Sequence, residues 1–290
     1  MVKYNPRTWL ALIFHPYSRQ VVKTLFPALA AMGVYTALII FLIDDYFGLE
    51  FESTTVVHSL LGIVLGLFLV FRINSAYDRW WEGRKFWGSL LNNSRNLATR
   101  ISVMLPQSDK EIKNEIGSLI AAFAASLRLH LKDKLNKESR IFNEFPIIAD
   151  LVDKEHIPNA IIWTLTDRIN RLYLSGKLSG KQLFLIDKDL KELSDILGGC
   201  ERIKNTPIPY SYSMYIKKFI FTYTITLPFA FITEFGYVSI PIVLLIFFIL
   251  VSVELVAEEI EDPFGNDAND LPTKELSEKI KRNVYELMAD

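Results

Sequence analysis

The sequence has a single cysteine, Cys200, so no disulfide can close within the chain, and nothing in its thiol content calls for an oxidising compartment. It has no basic excess either: 32 Lys and Arg stand against 33 Asp and Glu, for a net charge of −1. That balance excludes the broad electropositive surface of a nucleic-acid binder, and no nucleic-acid partner is expected. Strand-like alternation, internal repeats and low-complexity tracts are absent, which leaves an all-α class. A Ser-His-Asp set, a Gly-rich phosphate loop and paired His-Cys metal spacing are missing as well, and with them the signatures of common enzymes. No cleavable signal peptide is read. The first apolar run begins only after Lys23, is too long for a signal core, and ends at Asp44-Asp45 rather than at a small-residue cleavage site.

Half of the residues are hydrophobic and 22% are charged, and the charges avoid four runs: residues 24–43, 54–71, 219–233 and 236–253. An α-helix needs about 20 apolar residues to cross a bilayer. The first run meets that length, the second is marginal, and the Tyr-rich stretch 210–215 extends the third. The expectation is an integral membrane protein with four transmembrane helices. The connection at 44–53 carries Asp44, Asp45, Glu50 and Glu52 and no basic residue, and the turn around Glu234 has none. Lys3, Arg7, Arg19 and Lys23 precede the first span, Arg72, Arg79, Arg84 and Lys85 follow the second, and Lys217-Lys218 precede the third. Positive charge stays in the cytosol, so both termini and the long middle are placed there, in a multi-pass membrane protein. Tyr46, Phe47, Phe51, Phe235 and Tyr237 fall at the outer boundary, where amphipathic rings settle.

The chain therefore divides into a cytosolic N-terminal segment (1–23), the first two membrane helices (24–71), a cytosolic helical domain (72–213), the second membrane pair (214–253) and an acidic cytosolic tail (254–290). In the helical domain, Ile116, Leu119, Ile120, Phe123, Ala124 and Leu127 recur at helical spacing, a second helix runs from Ala160 to Leu174, and Leu183, Ile186, Leu190, Leu193 and Leu197 form a third stripe. Gly198-Gly199 is expected to stop that third helix.

The membrane runs hold no ionisable residue near their midpoints, unlike ion-coupled transporters, which keep such groups to bind the coupling ion. A pore lined by apolar and small groups is the alternative, and four helices of one chain could hardly enclose it, so an oligomer is implied. Ile63, Leu67 and Phe71 recur every fourth residue on one stripe of the second span. Such a stripe serves equally to pack on a neighbouring helix or to stack apolar collars around an axis. Gly62 and Gly66 form a small-xxx-small pair, Pro228 and Pro241 are expected to kink their helices, and His58 lies at the outer end of its span. After the fourth span, Glu258 to Asp270 is densely acidic; it is a solvated face, a hard-cation site or, in a rival reading, the divalent-metal site of a membrane-bound enzyme or docking scaffold.

Three separated motifs add to this. Phe71-Arg72-Ile73-Asn74-Ser75-Ala76-Tyr77-Asp78-Arg79-Trp80-Trp81-Glu82-Gly83-Arg84, then Gly198-Gly199-Cys200-Glu201-Arg202 with Thr206-Pro207-Ile208-Pro209, and Glu261-Asp262-Pro263-Phe264-Gly265 resemble, in order and over nearly the whole chain, the prokaryotic bestrophin family. The resemblance implies a homopentamer in membrane lipid around one central pore that passes ions. It puts the apolar neck on Ile63, Leu67 and Phe71, and a second, cytosolic constriction on Lys181 or Gln182, beyond the turn Gly176-Lys177-Leu178-Ser179. A lysine ring there would favour anions, chloride in particular. Animal members carry a Ca²⁺ clasp after the fourth helix, and the corresponding side chains are Glu259, Asp262, Asp267 and Asp270, with Asn266, Ala268 and Asn269 thinning the acidic run. The expected function is a passive, anion-leaning channel that requires no cofactor, with Ca²⁺ as the divalent ion those carboxylates would take.

Overall fold

The structure, a computed structural model, describes residues 16–48 and 55–289. Lys3, Arg7, Glu50, Phe51 and Glu52, which entered the topology argument, lie outside the described residues, as does the Arg19 side chain. No β-strand occurs among the described residues: the chain is helical, with α1 at Pro16–Ile40, α2 at Thr55–Met104, α3 at Lys110–Leu131, α4 at Ile157–Leu174, α5 at Gly180–Asn205, α6 at Tyr210–Phe235, α7 at Ser239–Glu261 and α8 at Thr273–Ala289. Two compact units form. One takes residues up to Asp78 together with Pro207–Glu261, and the other takes Arg79–Thr206 with Asp262–Asp290.

The first unit is the membrane unit. Three stretches are long and apolar enough to cross a membrane: Gln20–Tyr46, Thr55–Met104 and Tyr210–Glu261. The last is divided at Gly236–Val238 into α6 and α7, of 26 and 23 residues, so each covers a bilayer at about 39 and 35 Å. The four expected spans are thus α1, the first part of α2, α6 and α7. Gly236 makes the break. Its φ of +49° is a conformation side chains resist, and its N–H bonds the Ile232 carbonyl to close α6. Ser239 then ties the turn by donating to the Phe231 carbonyl at 3.0 Å. Pro228 sits inside α6, but Pro241 falls in the first turn of α7, where the backbone nitrogen has no partner within the helix, so the kink expected there has no cause. Leu65 and Leu69 of α2 bury against Ile216 and Ile220 of α6, while Met32, Leu227 and Val243 join α1, α6 and α7. These cores are small, and most apolar side chains of the unit face outward, as the bilayer as solvent permits.

The second unit has a large continuous core. Ile116, Ile120 and Phe123 of α3 meet Ile280, Val284 and Met288 of α8, with α4 and α5 packed around them. The tail thus splits: its first residues end α7, and the rest folds into the helical unit through α8. Helix α5 does not stop at Gly198-Gly199 but continues to Asn205. Phe86 explains the glycine, because a Cβ on Gly199 would stand 2.2 Å from its ring. The residue is small for close packing, not for a turn.

Candidate functional site: pore stripe, constriction and acidic loop

On α2, Ile63, Leu67 and Phe71 are 72%, 56% and 54% exposed, whereas Leu65 and Leu69 are buried. At about 100° per residue, positions two apart point some 200° away from one another, so the stripe lies opposite the face that packs on α6. Among the described residues nothing covers it. The two glycines of the small-xxx-small pair differ: a Cβ on Gly62 would meet the Tyr223 hydroxyl at 2.9 Å, while Gly66 has open space. Of this pair, only Gly62 therefore serves packing within the chain. His58 is bonded within the unit, its Nε2 lying 3.1 Å from Thr226 Oγ1.

Sequence reasoning missed the group that ends this stripe. Arg72 is 1% exposed; its Nη2 lies 2.8 Å from Glu261 and its Nε 3.4 Å from Glu254, locking α2 to α7. Glu261 also accepts from the Ile208 amide, and Glu258 pairs with Lys217. Glu254, Glu258 and Glu261 are thereby engaged in holding helices.

Lys181 and Gln182 begin α5. Gln182 is occupied: its Oε1 accepts from the Ser179 amide at 2.8 Å while Ser179 Oγ accepts from the Gln182 amide, a reciprocal cap. Lys181 is exposed and outside that cap. Between the two candidates the geometry leaves Lys181 as the free side chain.

The loop after α7 gathers Asp262, Asp267 and Asp270, while Glu259 belongs to α7 in the membrane unit. Asp262 accepts from the Phe264 amide at 3.2 Å and Asp270 from the Asp267 amide at 2.5 Å. Both carboxylates flank Gly265: a Cβ there would stand 3.0 Å from Asp270 Oδ2 and 3.2 Å from Asp262 Oδ2. The other Asp270 oxygen is buried with no hydrogen-bond partner. Burial pushes the Asp270 carboxyl up to about 6, with the charges of Asp267 and Asp262 adding to the rise. The Lys132 ammonium, 2.5 Å from the Gly265 carbonyl, opposes it.

The three sequence motifs meet in the helical unit. Arg79 donates to the Ile203 and Thr206 carbonyls at the end of α5, each at 2.5 Å, and Trp80 Nε1 bonds the Asn269 carbonyl at 3.0 Å. Glu82 pairs with Arg202. Gly83 gives room to Pro263, Phe264 and Leu271, each within 3.1–3.3 Å of where its Cβ would be. Cys200 is fully buried, its thiol pushed up to about 12 by burial, and is therefore no nucleophile.

Four spanning helices, an uncovered apolar stripe and a helical extramembrane unit define an all-α integral membrane protein. The model of the bacterial and fungal bestrophin family matches residues 1–286, and the chain belongs to that family. A voltage-dependent anion channel-forming protein of Nostoc sp. is 39% identical over 78% of this chain and 75% of the relative; one from Synechocystis sp. is 32% identical over 98% and 93%. Among solved structures, two single-substitution forms of a bacterial bestrophin homolog from Klebsiella pneumoniae match with TM-scores of 0.84 and 0.83 at 29% and 30% identity, each covering 92% of this chain and all of that one. These similarities point to a channel and not an enzyme.

Proposed function

We propose that the chain is one subunit of a homopentameric, passive ion channel that favours anions, chloride among them, seated in the inner membrane with both termini cytosolic. The observation that carries this reading is the stripe of Ile63, Leu67 and Phe71, exposed on a face of α2 that no other helix among the described residues covers. Repeated around a shared axis, it forms three apolar collars whose wetting controls conduction. The anion preference draws on the names of the relatives and on exposed Lys181, which as a ring would lower the barrier for anions and raise it for cations. The number five follows from the bestrophin resemblance. The placement in the membrane is supported by Arg72 and Lys217, paired near the end of the spans opposite Asp45 and Tyr237.

The acidic loop fits a hard cation such as Ca²⁺: the carboxylates of Asp262 and Asp270 flank Gly265, Asp267 follows in the same loop, and one oxygen of Asp270 is buried and unpartnered. Bound there, the ion would hold the loop. Lys132 donates to the Gly265 carbonyl, so a divalent cation must compete with a tethered one.

Purified protein in planar bilayers under asymmetric NaCl tests the channel reading. The current should reverse near the chloride potential, and Lys181→Glu should move the reversal toward the sodium potential. Absence of current, or reversal at the sodium potential in the unaltered protein, overturns it.

A further inference from the structure

In the helical unit three chemistry-bearing side chains converge to which neither the channel reading nor the family resemblance gives a role. Glu201 Oε1 lies 2.7 Å from His130 Nε2 and 2.7 Å from His156 Nε2, and the two imidazole rings are 4.7 Å apart. Glu201 stands 71 positions from His130 and 45 from His156, and the three come from different elements: His130 from the last turn of α3, His156 from the N-cap of α4, Glu201 from α5. Their side chains are 28%, 36% and 25% exposed, so solvent reaches them while the fold holds them. Among the described residues they are the one group of His, Cys, Asp and Glu whose ligand atoms all lie within 4.8 Å of one another.

We infer that His130, His156 and Glu201 form a binding site for a zinc-class divalent metal ion. Two imidazole nitrogens and one carboxylate oxygen are the donor set of a tetrahedral zinc site that keeps its fourth position for water. Calcium is a poor match, since it takes six to eight oxygens. In a tetrahedron with bonds of about 2.0–2.1 Å the ligand atoms stand about 3.3 Å apart. The present 2.7 Å contacts therefore need to open by about 0.6 Å, which small side-chain rotations supply.

Protonation can follow. Both Nε2 atoms now donate to a carboxylate oxygen that can only accept, and His156 Nδ1 accepts from the Asn159 amide at 3.3 Å, so the proton of a neutral His156 sits on Nε2. On metal binding that proton moves to Nδ1. The long bond to Asn159 is lost, and two metal–imidazole bonds and a metal–carboxylate bond replace the two contacts to Glu201. The neighbouring cation is engaged elsewhere, for Lys204 donates to the His130 carbonyl and pairs with Asp133. The ion would tie α3, α4 and α5 together.

Full-length protein, purified without added metal, is titrated with CoCl₂ and then ZnCl₂, reading ligand-field absorption, calorimetric stoichiometry and the unfolding temperature. One ion per chain, an intense tetrahedral cobalt band bleached by zinc, and a raised unfolding temperature are expected. Glu201→Gln keeps the side-chain volume and one acceptor and should weaken binding at least tenfold, as should His130→Gln, whereas Asp270→Asn in the acidic loop should leave it unchanged. No saturable binding, unaltered isotherms in both Glu201→Gln and His130→Gln, or loss of binding in Asp270→Asn would each overturn the assignment. Current recordings play no part in this test, so it stands or falls separately from the channel reading.

Discussion

Lys132 ties the acidic loop to the end of α3. Its ammonium donates to the Gly265 carbonyl at 2.5 Å and to Asn266 at 3.4 Å; burial lowers its pKa, and the charges of Asp270 and Asp262 act to restore it. Replacing it by methionine keeps the stem and removes the charge. Calcium affinity of Lys132→Met, measured by calorimetry, should rise about tenfold or more, because a like charge has left a half-buried site. Equal or weaker affinity would show that Lys132 does not contest that position. Residue spacing alone could not have identified this lysine, which is 133 positions from Gly265. The same holds for Arg72, whose acidic partners stand on another helix.

At the scale of elements, α2 and α5 show why glycine is an ambiguous signal. A Gly-Gly pair at the end of an amphipathic stripe resembles a helix stop, yet α5 runs through it because Phe86 of α2 needs the space over Gly199. Gly199→Ala should destabilise the helical unit by about 1–3 kcal/mol through overpacking, seen as a lowered unfolding temperature in detergent. Phe86→Leu in the same chain should restore part of the loss; a Gly199→Ala protein as stable as the original would refute the packing account. Helix α8 was also missed, although Ile280, Val284 and Met288 recur at helical spacing. The charge of the tail drew attention from its period, which is the stronger signal of structure. The apolar membrane runs, by contrast, were legible to within a few residues, since length without charge is a constraint the bilayer imposes directly.

For the whole molecule, the proposed channel reading makes the exposed stripe on α2 the neck of an assembly. Ala at Ile63, Leu67 and Phe71 together removes bulk from each collar and should raise single-channel conductance or open probability in bilayers, with reversal unchanged, because the apolar collar sets wetting more than charge preference. Currents identical to those of the original protein would remove the neck from α2. The amino-acid sequence by itself determined the helical class, the four crossings and the motifs that mark the family, because hydrophobic length, charge placement and local residue order are properties of the chain. Only the tertiary structure decided which side of α2 remains uncovered, that Gln182 is taken by a helix cap, that the three motifs interlock, and that two histidines share the carboxylate of Glu201. Those are distances between residues far apart along the chain, and helix packing sets them.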